Sequence, residues 1–232
     1  DLGETGKRWG DVRLASMPGL NDVTIDNTIS LAGVAVNLGI QNKWYVSTNG
    51  ADNLAGNHPN FAFGSIKHAL SYIQESSGGP HQLHILPGTY IEDFPLEIPE
   101  NVSIKGSGIR SCIIKPRVQY RGNDAFIMNN ATMVADVTIT DFQYVPAEDK
   151  GYAFRFSTNA GIVSKSPYVQ NVTVLTHGET TSASDPRGFA SGDAGKGALL
   201  DANVLDTASP RASMLFNGVT FITPGVDAVT VK

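Results

Sequence analysis

The residues with the greatest chemical reach are a scatter of carboxylates, five histidines and one cysteine. Glycoside hydrolysis needs two carboxyl groups about 5–9.5 Å apart across a groove. The acids to weigh for that role are Asp136, Asp141, Asp201 and Asp206, with Glu179, Asp185 and Asp193. Asp136 reads better as a turn residue, and Asp201 and Asp206 flank a strand-like run as solvated groups. A lyase would want a cation held by clustered acids, and no acidic cluster recurs at a fixed interval. His81 and His84 are the one close histidine pair. Their odd spacing sends them to opposite faces of a strand, which argues against a shared metal. His177 is the histidine that falls beside a plausible groove.

Cys112 sits in Ser-Cys-Ile-Ile and reads as a small buried apolar filler. A single cysteine excludes an intrachain disulfide, and without a Cys/His cluster no structural zinc is expected. Gly106-Ser107-Gly108 lacks the Gly-Lys-Ser/Thr that would make it a phosphate cradle. Asn101, Asn130 and Asn171 begin glycosylation triplets, but Asn101 and Asn171 belong to a turn pattern described below. Tyr120, Phe142, Tyr144 and Phe189 lie in turn-rich segments. They could stack on sugar rings or pack within the core or between subunits. No catalytic residue, cofactor or metal site is assigned. Tyr144, His177, Asp185 and Phe189 are the candidates for surface recognition.

The elements that would position these residues are mostly short strands. One helix is clear, over 65–76. Ser65 is a good N-cap, and Ile66, Ala69, Leu70 and Ile73 form one apolar stripe. Gly78-Gly79-Pro80 stops it. Lys43 to Ser47 reads as a strand, followed by a polar loop from Thr48 to Asn60 that contains Asn49-Gly50. From Leu83 onward helical periodicity vanishes.

Four strand-like runs then align: Asn101-Val102-Ser103-Ile104, Asp136-Val137-Thr138-Ile139, Asn171-Val172-Thr173-Val174 and Gly218-Val219-Thr220-Phe221. Their first apolar residues are separated by 35, 35 and 47 positions. Each opens on a residue that adopts the left-handed αL conformation easily. Period-2 alternation predicts Val102, Ile104, Val137, Ile139, Val172, Val174, Val219 and Phe221 inside. It predicts Ser103, Thr138, Thr173 and Thr220 as one outward column. A second anchor recurs as Ala125-Phe126, Ala153-Phe154, Ala198-Leu199 and Ala228-Val229. The long interval holds a polar insertion, Gly178 to Gly197, which should project as a loop. Self-similar strands with variable insertions predict a solenoid, with the amphipathic helix as its cap.

Composition is consistent with a folded chain. Of 232 residues 41% are apolar, and 17 basic against 22 acidic side chains give a net charge of −5. An ordinary apolar fraction and small net charge exclude disorder. The acidic balance argues against a nucleic-acid partner. The longest apolar stretch, Leu31 to Ile40, is short and interrupted, so no membrane insertion is expected. Residues 1–43 hold Trp9, Val12, Leu14, Val23, Ile25 and Ile29 but too little chain to bury them alone. These side chains must find partners on the following domain or on other copies. Asp1-Leu2-Gly3 opens in mid-pattern and Val229 to Lys232 stops inside a strand-like run, so a piece of a longer polypeptide is expected.

Two segments resemble known families. Tyr45-Val46-Ser47-Thr48-Asn49-Gly50-Ala51-Asp52, Phe63-Gly64-Ser65-Ile66-Lys67-His68-Ala69-Leu70 and Leu86-Pro87-Gly88-Thr89-Tyr90 resemble the opening of pectin-lyase-like right-handed parallel β-helices. That resemblance covers about residues 44–110; with the aligned runs it implies an all-β, right-handed parallel β-helix domain over 44–232, capped by helix 65–76. It fixes activity poorly, because such folds carry lyases, hydrolases, epimerases and adhesive spikes. Asp1 to Leu14, with Leu2-Gly3 and Arg8-Trp9, resembles a repeat of bacteriophage tail fibres. Pro167 to Val174, Ser213 to Phe216 and Thr220 to Pro224 resemble β-helical virion proteins of cyanobacterial phages.

These resemblances imply a structural tail-fibre or spike component on the virion, extracellular when acting, that gives a rigid shaft for host attachment. It would be a homotrimer joined through a 1–43 connector by Trp9, Val12, Leu14 and Ile25. Other tail or baseplate proteins, and a host-surface glycan, would be its partners. One alternative is a tailspike depolymerase, a polysaccharide lyase or glycoside hydrolase. Another is a non-catalytic carbohydrate-binding module.

Overall fold

The computed structural model describes residues 28–31, 34–37, 42–76, 80–156, 164–176, 194–200, 214–223 and 225–231. Trp9, Val12, Leu14 and Ile25 lie outside these, as do His177, Glu179, Asp185, Phe189, Asp193, Asp201 and Asp206. Most of the Gly178–Gly197 insertion also lies outside them. The chain divides into two units, Asp1–Gln41 and Asn42–Lys232. In the first, β1 (Thr28–Leu31) and β2 (Val34–Asn37) pair antiparallel.

The second unit opens with β3 (Lys43–Val46) and α1 (Ile66–Glu75). Ser65 caps α1 as its composition requires: the Oγ accepts from the His68 N–H, and Ile66, Ala69, Leu70 and Ile73 are buried. This stripe packs against the first strands of all three sheets that follow.

Those sheets are parallel, and the chain visits them in rotation. The first round is β4 (His81–Ile85), β5 (Gly88–Glu92) and β6 (Leu96–Ile98). The second is β7 (Val102–Gly106), β8 (Cys112–Pro116) and β9 (Phe126–Met128). The third is β10 (Met133–Ala135), β11 (Thr138–Thr140) and β12 (Tyr152–Phe156). The fourth is β13 (Tyr168–Gln170), β14 (Thr173–Leu175) and β15 (Lys196–Leu200). The last described round is β16 (Leu215–Asn217), β17 (Thr220–Ile222) and β18 (Val229–Val231). β3 extends the first sheet beyond β4.

Each sheet sends side-chain columns into a shared core, one of which runs the whole stack in each case. In the first sheet the column is Trp44, Leu83, Ile104, Val134, Val169 and Phe216. In the second it is Tyr90, Ile114, Ile139, Val174 and Phe221. In the third it is Leu96, Phe126, Phe154, Ala198 and Val229. Stacking makes like meet like: the Phe126 and Phe154 rings lie parallel, 6.0 Å apart.

The predicted outward column holds for three of its four members. Thr138, Thr173 and Thr220 stand in register in the second sheet. Ser103 does not join them. It belongs to the first sheet and pairs with Met133, only 30 residues on. The cause lies in the corners. In the third round Asp136 and Val137 alone connect β10 to β11, whereas Ser107–Ser111 form a longer loop between β7 and β8. The 35-residue interval from Val102 to Val137 therefore joins two different sheets.

The left-handed residues themselves are where expected: φ is 62° at Asn101, 59° at Asp136, 49° at Asn171 and 62° at Gly218. Asn101 serves the corner leading into the first sheet, which Ala131 (φ 53°) also occupies. Asp136, Asn171 and Gly218 serve the corner leading out of it. There Asn171 Nδ2 donates to Asp136 Oδ1 at 2.6 Å, a rung between successive rounds. The second anchor slips by one in its third copy. Phe154 pairs with Ala198, not Leu199, while Phe126 and Val229 fall as read. Lys196 and Gly197, read as loop, begin β15.

Candidate functional site

Three groups of polar side chains converge among the described residues. The first clamps the start of α1. No acidic residue lies in the helix's own first turn, so the chain supplies carboxylates from elsewhere. Asp52 Oδ1 accepts from the Gly64 and Ser65 N–H groups at 2.8 and 2.9 Å, and its Oδ2 from Ser65 Oγ at 2.9 Å. Glu92, buried at the end of β5, accepts from the Ile66 and Lys67 N–H groups at 2.7 and 3.2 Å. Burial pushes the Glu92 carboxyl above its ordinary range, against the two backbone hydrogen bonds that favour its charged form. Lys67 Nζ donates to the Asp93 carbonyl at 2.7 Å. Both carboxylates are occupied in holding the helix, which is a positioning role.

The second group lies where β5, β8 and the turn after β8 meet. Arg117 Nε binds Asp93 Oδ1 at 2.6 Å, and Lys115 Nζ lies 3.9 Å from Asp141 Oδ2. Lys115, Arg117 and Arg121 share a groove of 390 Å³ with Ile91, Val118 and Asp141. A neighbouring depression of 350 Å³ shares Arg117 and reaches Asp52, His68 and Glu92.

The third group surrounds Tyr144. Its hydroxyl and that of Tyr152 both donate to Asp149 Oδ1 at 3.0 Å, and the rings meet edge-on at 5.6 Å. Lys196 Nζ stands 4.1 Å from the Tyr144 ring centre and 3.3 Å from Asp227 Oδ2. Arg155 bridges Asp124 and the Asp149 carbonyl, and buried Asp124 also accepts from the Gly151 and Tyr152 N–H groups at 2.9 Å. Burial and the Asp149 hydrogen bond hold the Tyr152 hydroxyl well above its ordinary range. Tyr144 is thus half-buried in an internal network, with one ring face covered by Lys196.

The other sequence-derived residues fall into place individually. His81 points inward and accepts from Trp44 Nε1 at 3.0 Å, while His84 faces outward beside Gln82 at 3.0 Å. Burial, with Lys43 and Lys105, lowers the His84 pKa. Phe142 is buried in the core, so of its three readings the core one applies. Tyr120 packs partly buried against the core. Cys112 is buried, as its apolar context suggests. Asn130 binds Glu100 and the Ser164 and Lys165 N–H groups, fixing a corner. Asp141, at φ 64°, is a turn residue.

Among the described residues no group of three or more His, Cys, Asp or Glu is arranged to hold a metal ion. No helix among them is long and apolar enough to cross a membrane. Sequence reasoning missed the Asp52–Glu92 clamp and the Arg117 groove. The signal for the clamp was the helix start itself, whose four unpaired N–H groups need acceptors from somewhere.

Among the described residues the chain is mostly β, with three parallel sheets, one antiparallel strand pair and one α-helix. Comparison with family models, with curated proteins and with solved structures returned no match.

Proposed function

We propose that this chain is part of a tail-fibre or spike-type structural protein of a phage virion. In this reading residues 44–232 form a right-handed parallel β-helix of the pectin-lyase-like kind and serve as a rigid shaft for host attachment. Residues 1–43 join three copies. The observation that carries the reading is the rotation through three parallel sheets around one side-chain-filled core. Such a stack resists bending because every round is held to the next by backbone ladders and packed columns. The strong preference of parallel strand crossovers for the right hand supports that part of the reading. The fibre-like segment Asp1 to Leu14 and the strand motifs around Val172 and Phe221 supply the virion part of the reading. The partners would be other tail or baseplate proteins and a host-surface glycan.

Light scattering on the purified full-length chain should give a mass near three chains. Added to host cells, the protein should block virion adsorption without releasing reducing ends from envelope polysaccharide. A stable monomer that does not compete for adsorption would overturn the proposal. Release of reducing ends would favour the depolymerase.

A further inference from the structure

The groove beside β8 gathers basic side chains in a chain whose net charge is −5. Lys115, Arg117 and Arg121 line one depression of 390 Å³ with Asp141, which lies 3.9 Å from Lys115 Nζ; Arg121 sets its Nε and one terminal nitrogen into the wall, so Arg117 is the cation most open to a ligand. Arg117 spends its Nε on Asp93, which orients the guanidinium and uses one of its five N–H donors. The Arg117 side chain is 55% exposed, so the remaining donors are within reach of a ligand. Two apolar side chains stand in the same concavity: Ile91 is 52% exposed and Val118 68%. Exposed aliphatic residues are ordinary when single. Two of them flanking basic side chains in a groove are a combination that asks for a ligand with both characters.

A sugar ring carrying an acidic group has them. Its C–H face lies against aliphatic side chains, and its carboxylate or sulfate pairs with a guanidinium fork. A nucleic-acid backbone fits poorly. It needs an extended basic stripe, whereas the depression that continues from Arg117 is lined by Asp52, Glu92 and Asp93. Those carboxylates also limit the acidic units that can be taken up in succession.

We infer that the groove formed by Ile91, Lys115, Arg117, Val118 and Arg121 binds an anionic sugar unit, a carboxylated or sulfated residue of a polysaccharide. Its biological setting rests on the attachment reading above, but the binding itself does not. A monomeric protein that fails to block adsorption could still bind such a sugar, so the two can fail separately.

The test is calorimetric titration of the full chain with three oligomers on one backbone: neutral dextran, carboxymethyl-dextran and dextran sulfate. One or both of the charged oligomers should bind, and the neutral one at least tenfold more weakly. Whichever charged oligomer binds more tightly identifies the acidic group. Arg117→Gln should weaken binding about tenfold or more, and Val118→Asp should abolish it. Both side chains are exposed, so the melting temperature should hold. If either variant melts early, Gln119→Glu in the same turn replaces it, with the same loss expected. Equal binding of all three oligomers, binding of none, or charged-oligomer affinity unchanged in folded variants would overturn the inference.

Discussion

The first and last described rounds of the stack are built from the same kinds of residue, yet they differ in burial. In the third-sheet column Leu96, Phe126, Phe154 and Ala198 are fully buried, while Val229 at the same register is 43% exposed and Val231 beside it 70%. At the other end α1 lies over the first round, and Ile66, Ala69, Leu70 and Ile73 close the core. The inward direction of a side chain is therefore set by its own strand, but its burial is supplied by whatever lies on the next round. Stability in such a stack is close to a sum of neighbour terms. One substitution should cost very different amounts along one column.

The sharpest way to break that comparison is to place the same charge at two inward positions. Ile139 in β11 has Ile114 on one side and Val174 on the other, and it is fully buried. Ile139→Asp should cost more than about 4 kcal/mol, because the carboxylate finds no partner there. In the 232-residue chain Val231→Asp should stay within about 1 kcal/mol, since that residue meets solvent there. Urea titration of both variants checks this, and equal losses would show that the last round is as closed as the middle.

The capped end predicts a pH effect. Glu92→Ala leaves the Ile66 and Lys67 N–H groups without their acceptor and should cost about 2–3 kcal/mol. Glu92→Gln keeps one acceptor oxygen and removes the titration. Burial raises the folded pKa above the unfolded one, so the protonated form is the one that folding favours. The contribution of Glu92 is therefore full below the unfolded pKa, about 4.3, and is lost as pH rises through the folded value. In thermal melts wild type should lose stability relative to Glu92→Gln as pH rises above the unfolded pKa, about 4.3. A difference independent of pH would mean that the two N–H bonds offset the burial.

A smaller contrast sits at one corner column. Gly106 and Gly218 both lie where the chain leaves the first sheet. A Cβ on Gly106 would come within 2.3 Å of the Asp136 carbonyl oxygen, whereas at Gly218 the nearest atoms, in Asn171, are 3.7 Å away. Gly106→Ala should destabilise by about 1–3 kcal/mol through overpacking. Gly218→Asn meets only ordinary contact but keeps φ at 62°, where the strain of a side chain offsets the stiffer unfolded chain, so it should stay within about 0.5 kcal/mol. Chemical denaturation of the two variants reads the difference.

Much of this was legible in the chain. The cap helix, the αL residues at Asn101, Asp136, Asn171 and Gly218, and the Thr138–Thr173–Thr220 column follow from local rules of conformation and period 2. The sheet to which each run belongs did not. Rounds differ in length because loops differ, so Ser103 aligned by interval with a strand that sits in another sheet. The polar groups were less legible for a related reason. Asp52 and Glu92 are 40 positions apart and meet only because both reach the start of α1. Ile91, Lys115 and Asp141 come from three successive rounds. No local pattern marks such residues; only the phase of the winding brings them together. His81 and His84 were readable because their separation depends on a single strand alone.

Hydrogen exchange on the intact chain tests the winding most directly, because each parallel ladder protects the amides it pairs. Exchange should be slowest in strands such as β7, β8, β10, β11, β13 and β14, which are paired on both sides and lie around the filled core. Protection should fall through β16, β17 and β18, which pair on one side among the described residues. Protection concentrated in the last round, or alternating strand by strand as in hairpins, would contradict the winding.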